Sequence, residues 1–267
     1  NFGQEQIVYR HEPRTVRSPA VHVSAIGFRP DDPFKRAYLS QWLGTGGALK
    51  FEEGLRFEVL DEGTGRVAYK GKALRLTRAD AKESFKAGRN YSRTDVLGLD
   101  FSELSKPGRY RVYVYGVGCS YPFEIGGDVW RRAFQLSMKG LLHHRSGIEL
   151  GPPVTAYVRP RPMHPEDGVR VYASAGSEME AGSQDGAFRM LAERRTDRLV
   201  FEAWGGHMDA GDWDRNPKHP AAMWLLLDLY ELFPERIGGI RLSLPANEAD
   251  NSIPDILDEV LWNLDLH

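Results

Sequence analysis

At Gly126-Gly127 the spacing of apolar residues changes, and that change divides the chain. Before it, apolar and polar residues alternate, as they do in strands buried on one face. After it, apolar residues recur about every 3.6 residues, as they do in helices packed by one stripe. A chain of 267 residues has room for two domains. The expected order is an extended segment over 1–16, a β domain over 17–126 and a helical domain over 127–267.

The β part is a run of short strands. Val21 to Ile26 alternates, and the turn-rich Gly27 to Pro33 ends it. Lys35 to Leu43 reads as a second strand with Ala37 and Leu39 on one side. Leu55, Phe57 and Val59 alternate with Arg56 and Glu58, the mark of a strand buried on one face. Arg66 to Tyr69 and Val96 to Phe101 follow. Arg109 to Tyr115 is the clearest strand, with Tyr110, Val112 and Val114 facing one way. So many short strands between turns predict a β-sandwich of immunoglobulin type. His22 and Cys119 read as packing residues, because no set of ligands lies at metal-site spacing around them.

In the helical part, Asp128 is the expected N-cap of a helix carrying Trp130, Phe134, Met138, Leu141 and Leu142 toward the core, with Gly147 as its stop. His143 and His144 are adjacent, so they leave the helix on different faces and do not share a metal. The stretch from Ile148 to Ala203 is irregular. A hairpin is expected within it, Phe188 to Ala192 against Arg198 to Ala203 around Thr196-Asp197. Ala221 to Phe233 is apolar nearly all round, which predicts a helix buried on all sides. Ser252-Ile253-Pro254-Asp255 resembles a capping box at the start of a one-faced helix with Ile256, Leu257, Val260, Leu261 and Leu264. That face lacks a partner at His267, so the second domain is expected to be cut short here.

The chemistry is expected in Trp204-Gly205-Gly206-His207-Met208-Asp209-Ala210-Gly211-Asp212-Trp213-Asp214. Its glycines let the backbone come close to whatever binds, and its tryptophans offer flat faces. Three readings stand beside one another. Clustered carboxylates suit a calcium ion, although the spacing is not that of an EF-hand. The aspartates also suit a solvated turn. Paired carboxylates suit acid–base work on a polar substrate. Net charge is −2, which gives no basic surface to hold nucleic acid. No apolar run is long enough to span a bilayer, so no membrane partner is expected. Cys119 is the sole cysteine, so no internal disulfide forms.

Gly205 to Trp213 resembles the Gly-Gly-Trp-x-Asp-Ala-Gly-Asp-Tyr signature of glycoside hydrolase family 9, the inverting cellulases. Pro107 to Val114 with Gly116 to Phe123 is similar to the end of that family's N-terminal immunoglobulin-like domain. Arg159-Pro160 with His164 to Asp167 is similar to the segment before the signature, and Ser252 to Glu259 to a Pro-Asp-Leu-Leu-Asp-Glu helix. The resemblance implies an immunoglobulin-like β-sandwich followed by an all-α domain, the first part of an (α/α)6 barrel. It implies an inverting glycosidase acting on β-1,4-glucan, with Asp212 as general base and Asp209 holding the attacking water. The acid glutamate would lie beyond this chain; Glu248 and Glu259 match no motif for that role, and the fragment alone is expected to be inactive. A non-catalytic glycan- or calcium-binding module is the alternative. So is action on mixed-linkage glucan, xyloglucan or chito-oligomers.

Trp204, Trp213 and Tyr157 are candidates to stack on sugar rings, with core packing as their ordinary role. His164 is a candidate to hydrogen-bond a sugar hydroxyl, with loop-structuring as its ordinary role. His207 stands where the family has tryptophan and joins the candidate sugar contacts. No cofactor is required; structural calcium is implied by the resemblance, with no ligand identified. The partner implied is a β-glucan polysaccharide or oligosaccharide. Such polymers are met outside the cytoplasm, so secretion is expected, with any signal peptide removed.

Overall fold

The computed structural model describes residues 12–82, 90–175, 189, 192–208 and 219–265. The chain divides into two compact units between Ala133 and Phe134.

The first unit is a sandwich of two antiparallel sheets. Its strands are β1 (Val21–His22), β2 (Arg36–Leu39), β3 (Arg56–Asp61), β4 (Val67–Lys72), β5 (Leu74–Thr77), β6 (Val96–Asp100), β7 (Gly108–Val114), β8 (Gly118–Cys119) and β9 (Phe123–Ile125). One sheet has the order β1-β2-β6-β5, the other β4-β3-β7-β8, with β9 also on β7. Ala37, Leu39, Leu97 and Leu99 of the first face Phe57, Val59, Tyr110, Val112 and Val114 of the second in one core. The alternation of β7 sets which residues face this core, but Tyr113 on the other face is buried too, against Leu60 and Cys119. The Tyr110 hydroxyl donates to the Lys106 carbonyl at 2.9 Å, the back-bond of a tyrosine corner.

Four expectations for this unit fail locally. β3 is buried on both faces, not one: Glu58 and Leu60 are buried as well. The lead-in covers the outer face, pairing with Cys119 through Arg17 and placing Arg14 2.7 Å from Glu58. Its described residues begin in a turn rather than an extended run, with Thr15 and Val16 N–H bonded to the Glu12 carbonyl. The second strand ends at Leu39, because the chain turns through Gly44–Gly46. Cys119 is fully buried, its thiol donating to the Arg14 carbonyl, and is a packing residue; His22 is not, being exposed with its ring bonded to the Ser40 carbonyl.

α1 (Val129–His143) crosses the division between the units. Arg132 N–H bonds the Asp128 carbonyl, which puts Asp128 at the N-cap position. Trp130 does not join the core: it is exposed. In the second unit follow β10 (Tyr172–Ser174), β11 (Arg195–Leu199), α2 (His219–Leu232), α3 (Pro234–Ile237), α4 (Ala246–Ala249) and α5 (Asp255–Leu264). Met138 and Leu142 of α1, Ile240, Leu242, Leu244 and Ile256 form its core.

The second unit is not all helical. β10 and β11 pair antiparallel, with Tyr172 opposite Leu199. That pairing replaces the expected hairpin. Thr196 lies within a strand, and its hydroxyl donates to the Ala173 carbonyl at 2.8 Å; Phe188 is outside the described residues. α2 is not buried all round. Met223, Leu226, Leu229 and Tyr230 pack inward, while Trp224, Leu225 and Leu232 are exposed. Its described neighbours, α5 and α3, cover one side only. Pro254 stands at the N-cap of α5 and supplies no side-chain cap. Asp255 reaches instead to the Leu242 N–H at 2.7 Å, tying α5 to the loop before it. Leu261 and Leu264 are exposed, and the buried side of α5 carries Asp255, Asp258, Glu259 and Asn263 beside Ile256 and Val260.

Candidate functional site

The residues that follow α1, His144 to Ser146, and the loop Trp204 to Met208 form a short antiparallel bridge. Arg145 pairs with His207, Ser146 N–H bonds the Gly206 carbonyl at 2.9 Å, and Met208 N–H bonds the His144 carbonyl at 2.7 Å. The Trp262 indole N–H of α5 donates to the same Gly206 carbonyl, also at 2.9 Å. Gly147 explains the glycine after the helix. Its φ is +76°, and a Cβ there would lie 2.5 Å from the Trp204 ring. Only glycine meets both demands.

Beneath this bridge lies a buried polar cluster. The Arg145 guanidinium is fully buried. Its Nη1 and Nη2 each bond a Glu248 carboxylate oxygen at 2.8 Å, and its Nε and Nη2 bond Glu259 at 3.1 Å. Glu259 is fully buried too, and its Oε1 lies 2.6 Å from His207 Nε2. Asn263 Nδ2 lies 3.1 Å from His207 Nδ1. Both contacts are met when His207 Nε2 donates to Glu259 and Nδ1 accepts from Asn263. Burial alone would raise the Glu259 pKa, but the His207 hydrogen bond and the charge of Arg145 outweigh it and hold the carboxyl below its ordinary value. Burial likewise disfavours the Arg145 cation, and Glu248 and Glu259 more than offset it. Arg159 adds a clamp outside the cluster, donating to the His143 carbonyl at 3.1 Å and the Arg145 carbonyl at 2.7 Å.

This cluster immobilises the backbone that enters the carboxylate-rich stretch. Asp209, Asp212 and Trp213 lie outside the described residues. The structure brings together Trp204, His164 and His207. Trp204 stands edge-on to His164 at 4.3 Å and to Trp262 at 6.2 Å. His164 is buried, and its Nδ1 accepts from the Glu166 N–H at 3.2 Å, so it caps the turn Pro165–Asp167 and wedges Trp204. His207 is buried against Glu259 and Asn263 and faces the protein. Tyr157 is exposed and pairs with the His143 ring at 5.0 Å. Among the described residues no three His, Cys, Asp or Glu side chains converge to hold a metal ion.

Arg145, Glu248, Glu259, Trp262 and Asn263 carry the site and were not singled out in the sequence as its support. One signal for them exists: Asp255, Glu259 and Asn263 recur every fourth residue beside the apolar Ile256 and Val260, which puts a polar stripe at the edge of the buried face.

An immunoglobulin-like sandwich followed by a helical unit, with a glycine-rich loop braced ahead of closely spaced aspartates, is the class of protein the fold and site define. Residues 16–119 match the family described as the cellulase N-terminal ig-like domain. The chain is 26% identical over 247 residues to Endoglucanase D of Acetivibrio thermocellus, covering 92% of this chain and 32% of that protein. It is 25% identical over 210 residues to a xyloglucan-specific endo-beta-1,4-glucanase of Bacteroides ovatus, covering 78% and 31%. A crystal structure of a metagenome-derived glycoside hydrolase family 9 endoglucanase aligns with a TM-score of 0.67 at 26% identity, over 92% of this chain and 39% of that one. The chain spans about a third of the length of these curated relatives. Its resemblance to glycoside hydrolase family 9 holds along nearly its whole length. Among the described residues no helix is long and apolar enough to cross a membrane.

Proposed function

We propose that this chain supplies the water-activating half of an inverting β-1,4-glucan hydrolase acting outside the cell, with its helical unit as the first part of an (α/α)6 barrel. Asp212 takes a proton from the attacking water. Asp209 accepts a second hydrogen bond from the same water and fixes its approach. The general acid is a separate carboxyl group on the other side of the scissile bond, because an inverting pair must leave about 6.5–9.5 Å for water and sugar. Glu259 is not that acid: it is fully buried and engaged by Arg145 and His207.

The observation that carries this reading is the bracing of Trp204 to Met208 by the buried cluster, directly before Asp209. A base must sit within a few tenths of an ångström of its productive position, and rigid support of the entering backbone supplies that. The likeness to endoglucanases along 92% of the chain supports the substrate class.

The test is reducing-sugar release by the full-length protein from carboxymethylcellulose, mixed-linkage glucan, xyloglucan and chito-oligomers, with Asp212→Ala in parallel. Release from a β-glucan that falls by about 10²-fold or more in the variant is expected. Full activity in the variant would remove Asp212 from the role.

A further inference from the structure

An open depression of about 360 Å³ lies beside the braced loop, lined by Phe201, Glu202, Trp204, Gly205, Trp262 and Asp265. From it we infer a binding site for a sugar ring bearing a primary ammonium group; on the proposed function this ring is a β-1,4-linked amino sugar. The inference rests on that function for the polymer and on the pocket alone for the ammonium.

Three aromatic rings and two carboxylates make up the side-chain lining, and no cation is among them. Aromatic faces attract an ammonium group through the ring quadrupole, with Trp the strongest of the three ring types. They also suit the apolar face of a pyranose. Phe201 is largely exposed, 65%, and needs no rearrangement to meet a ligand. Trp204 is held by His164 on one side and by the lack of a side chain at Gly147 on another. Trp262 is fixed by its bond to the Gly206 carbonyl. The tryptophan rings are thus ordered before any ligand arrives, which lowers the entropy cost of binding.

The carboxylates decide the charge of the ligand. Glu202 and Asp265 make no ion pair or side-chain hydrogen bond among the described residues. Several other carboxylates of this unit are matched: Glu248 and Glu259 with Arg145, Glu166 and Asp167 with Arg161, and Asp255 with Arg241. Arg145 does lie over Trp262, with its carbon 4.8 Å from the ring centroid, but Glu248 and Glu259 neutralise it. Both carboxylates are exposed, so a neutral sugar would use the rings and leave them to water. An amino sugar uses the rings and both charges.

The test is isothermal titration of the full-length protein, carrying Asp212→Ala to prevent turnover, with the β-1,4-linked trimer of glucosamine and with cellotriose. The amino trimer should bind about tenfold more tightly at low salt, and added salt should shrink the difference. Glu202→Gln with Asp265→Asn should bring the amino trimer down to the affinity of cellotriose, and Phe201→Ala should weaken both ligands. Equal affinity of the two trimers, or a preference that survives the double variant, would overturn the inference. The two proposals fail separately. Hydrolysis of neutral glucan by the protein with Asp212 intact, alongside equal binding of the trimers, sinks the ammonium site and leaves Asp212 in its role. A carboxylate-dependent preference for the amino trimer, with no hydrolysis of either polymer, upholds the site and sinks the glycosidase reading.

Discussion

Glu259→Gln is the sharpest probe of the cluster that braces the loop. The substitution preserves shape and removes one charge. Glu259 accepts from Arg145 Nε and from His207 Nε2 at Oε1, and from Arg145 Nη2 at Oε2. Glutamine offers one acceptor oxygen, so whichever way it turns, its amide N–H₂ meets a buried donor. A lost charge-assisted hydrogen bond costs about 1.5–3 kcal/mol, and breaking a buried ion pair from one side costs about 3–5 kcal/mol. Arg145 keeps Glu248, which places the expected cost near the overlap, about 3 kcal/mol. Glu248→Gln is the control. Glu248 is partly open to solvent, so water replaces what is lost, and the expected cost is about 1 kcal/mol. Urea unfolding followed by tryptophan fluorescence reads both, since Trp262 stacks on Arg145 and Trp204 on the braced loop. The Glu259 variant should lose about 1–2 M in midpoint for the transition of the second unit. A cost within about 0.5 kcal/mol of wild type, or one no greater than that of Glu248→Gln, would refute the claim that Glu259 is the hub.

Acid should act through the same residue. The folded-state pKa of Glu259 is held below its ordinary 4.5, so its contribution is fully present above pH 4.5 and is lost as pH falls through the folded value; stability measured from neutral pH downward should drop there in wild type and drop less in Glu259→Gln. His143 is shifted down from 6.5, first by burial and then by Lys139 and Arg159. Its neutral ring bonds Thr155 at 2.8 Å, so stability should decline as pH falls below 6.5, and His143→Gln should flatten that part of the curve. Gly147→Ala adds a Cβ at positive φ against Trp204 and should cost about 1–3 kcal/mol, seen in thermal unfolding, with a shift in the tryptophan spectrum. Trp262→Phe keeps the ring and removes the donor to Gly206, and should cost about 1 kcal/mol by the same measurement.

Much of the first unit was legible because burial there follows alternation. Tyr110, Val112 and Val114 point into the core as their spacing requires. Glu58 and Leu60 were not legible, since Glu58 meets Arg14 of the lead-in and Leu60 packs on Tyr113 and Cys119, all distant in sequence. The helices of the second unit were legible in position and less so in burial. A nearly all-apolar run such as Met223 to Phe233 does not say which side finds a neighbour. The pairing of Arg195–Leu199 with Tyr172–Ser174 overrides a local turn signal at Thr196-Asp197, and long-range pairing leaves no local trace. Glu259 escaped for a related reason. A charged residue on an amphipathic helix reads as a solvent-side residue until Arg145, far back in the chain, is known to meet it. The loop motif itself was legible from its glycines, aspartates and tryptophans; the cluster beneath it required the fold.

The most direct test of the account is the configuration of the first sugar released. Proton NMR of the early reaction of the full-length protein on a soluble β-1,4-glucan reads the new reducing end before it mutarotates. The α-anomer is expected first, formed by a water that Asp212 deprotonates, and the signal is expected to be lost in Asp212→Ala. A first product in the β configuration, or the same product formed at the wild-type rate by Asp212→Ala, would contradict the account.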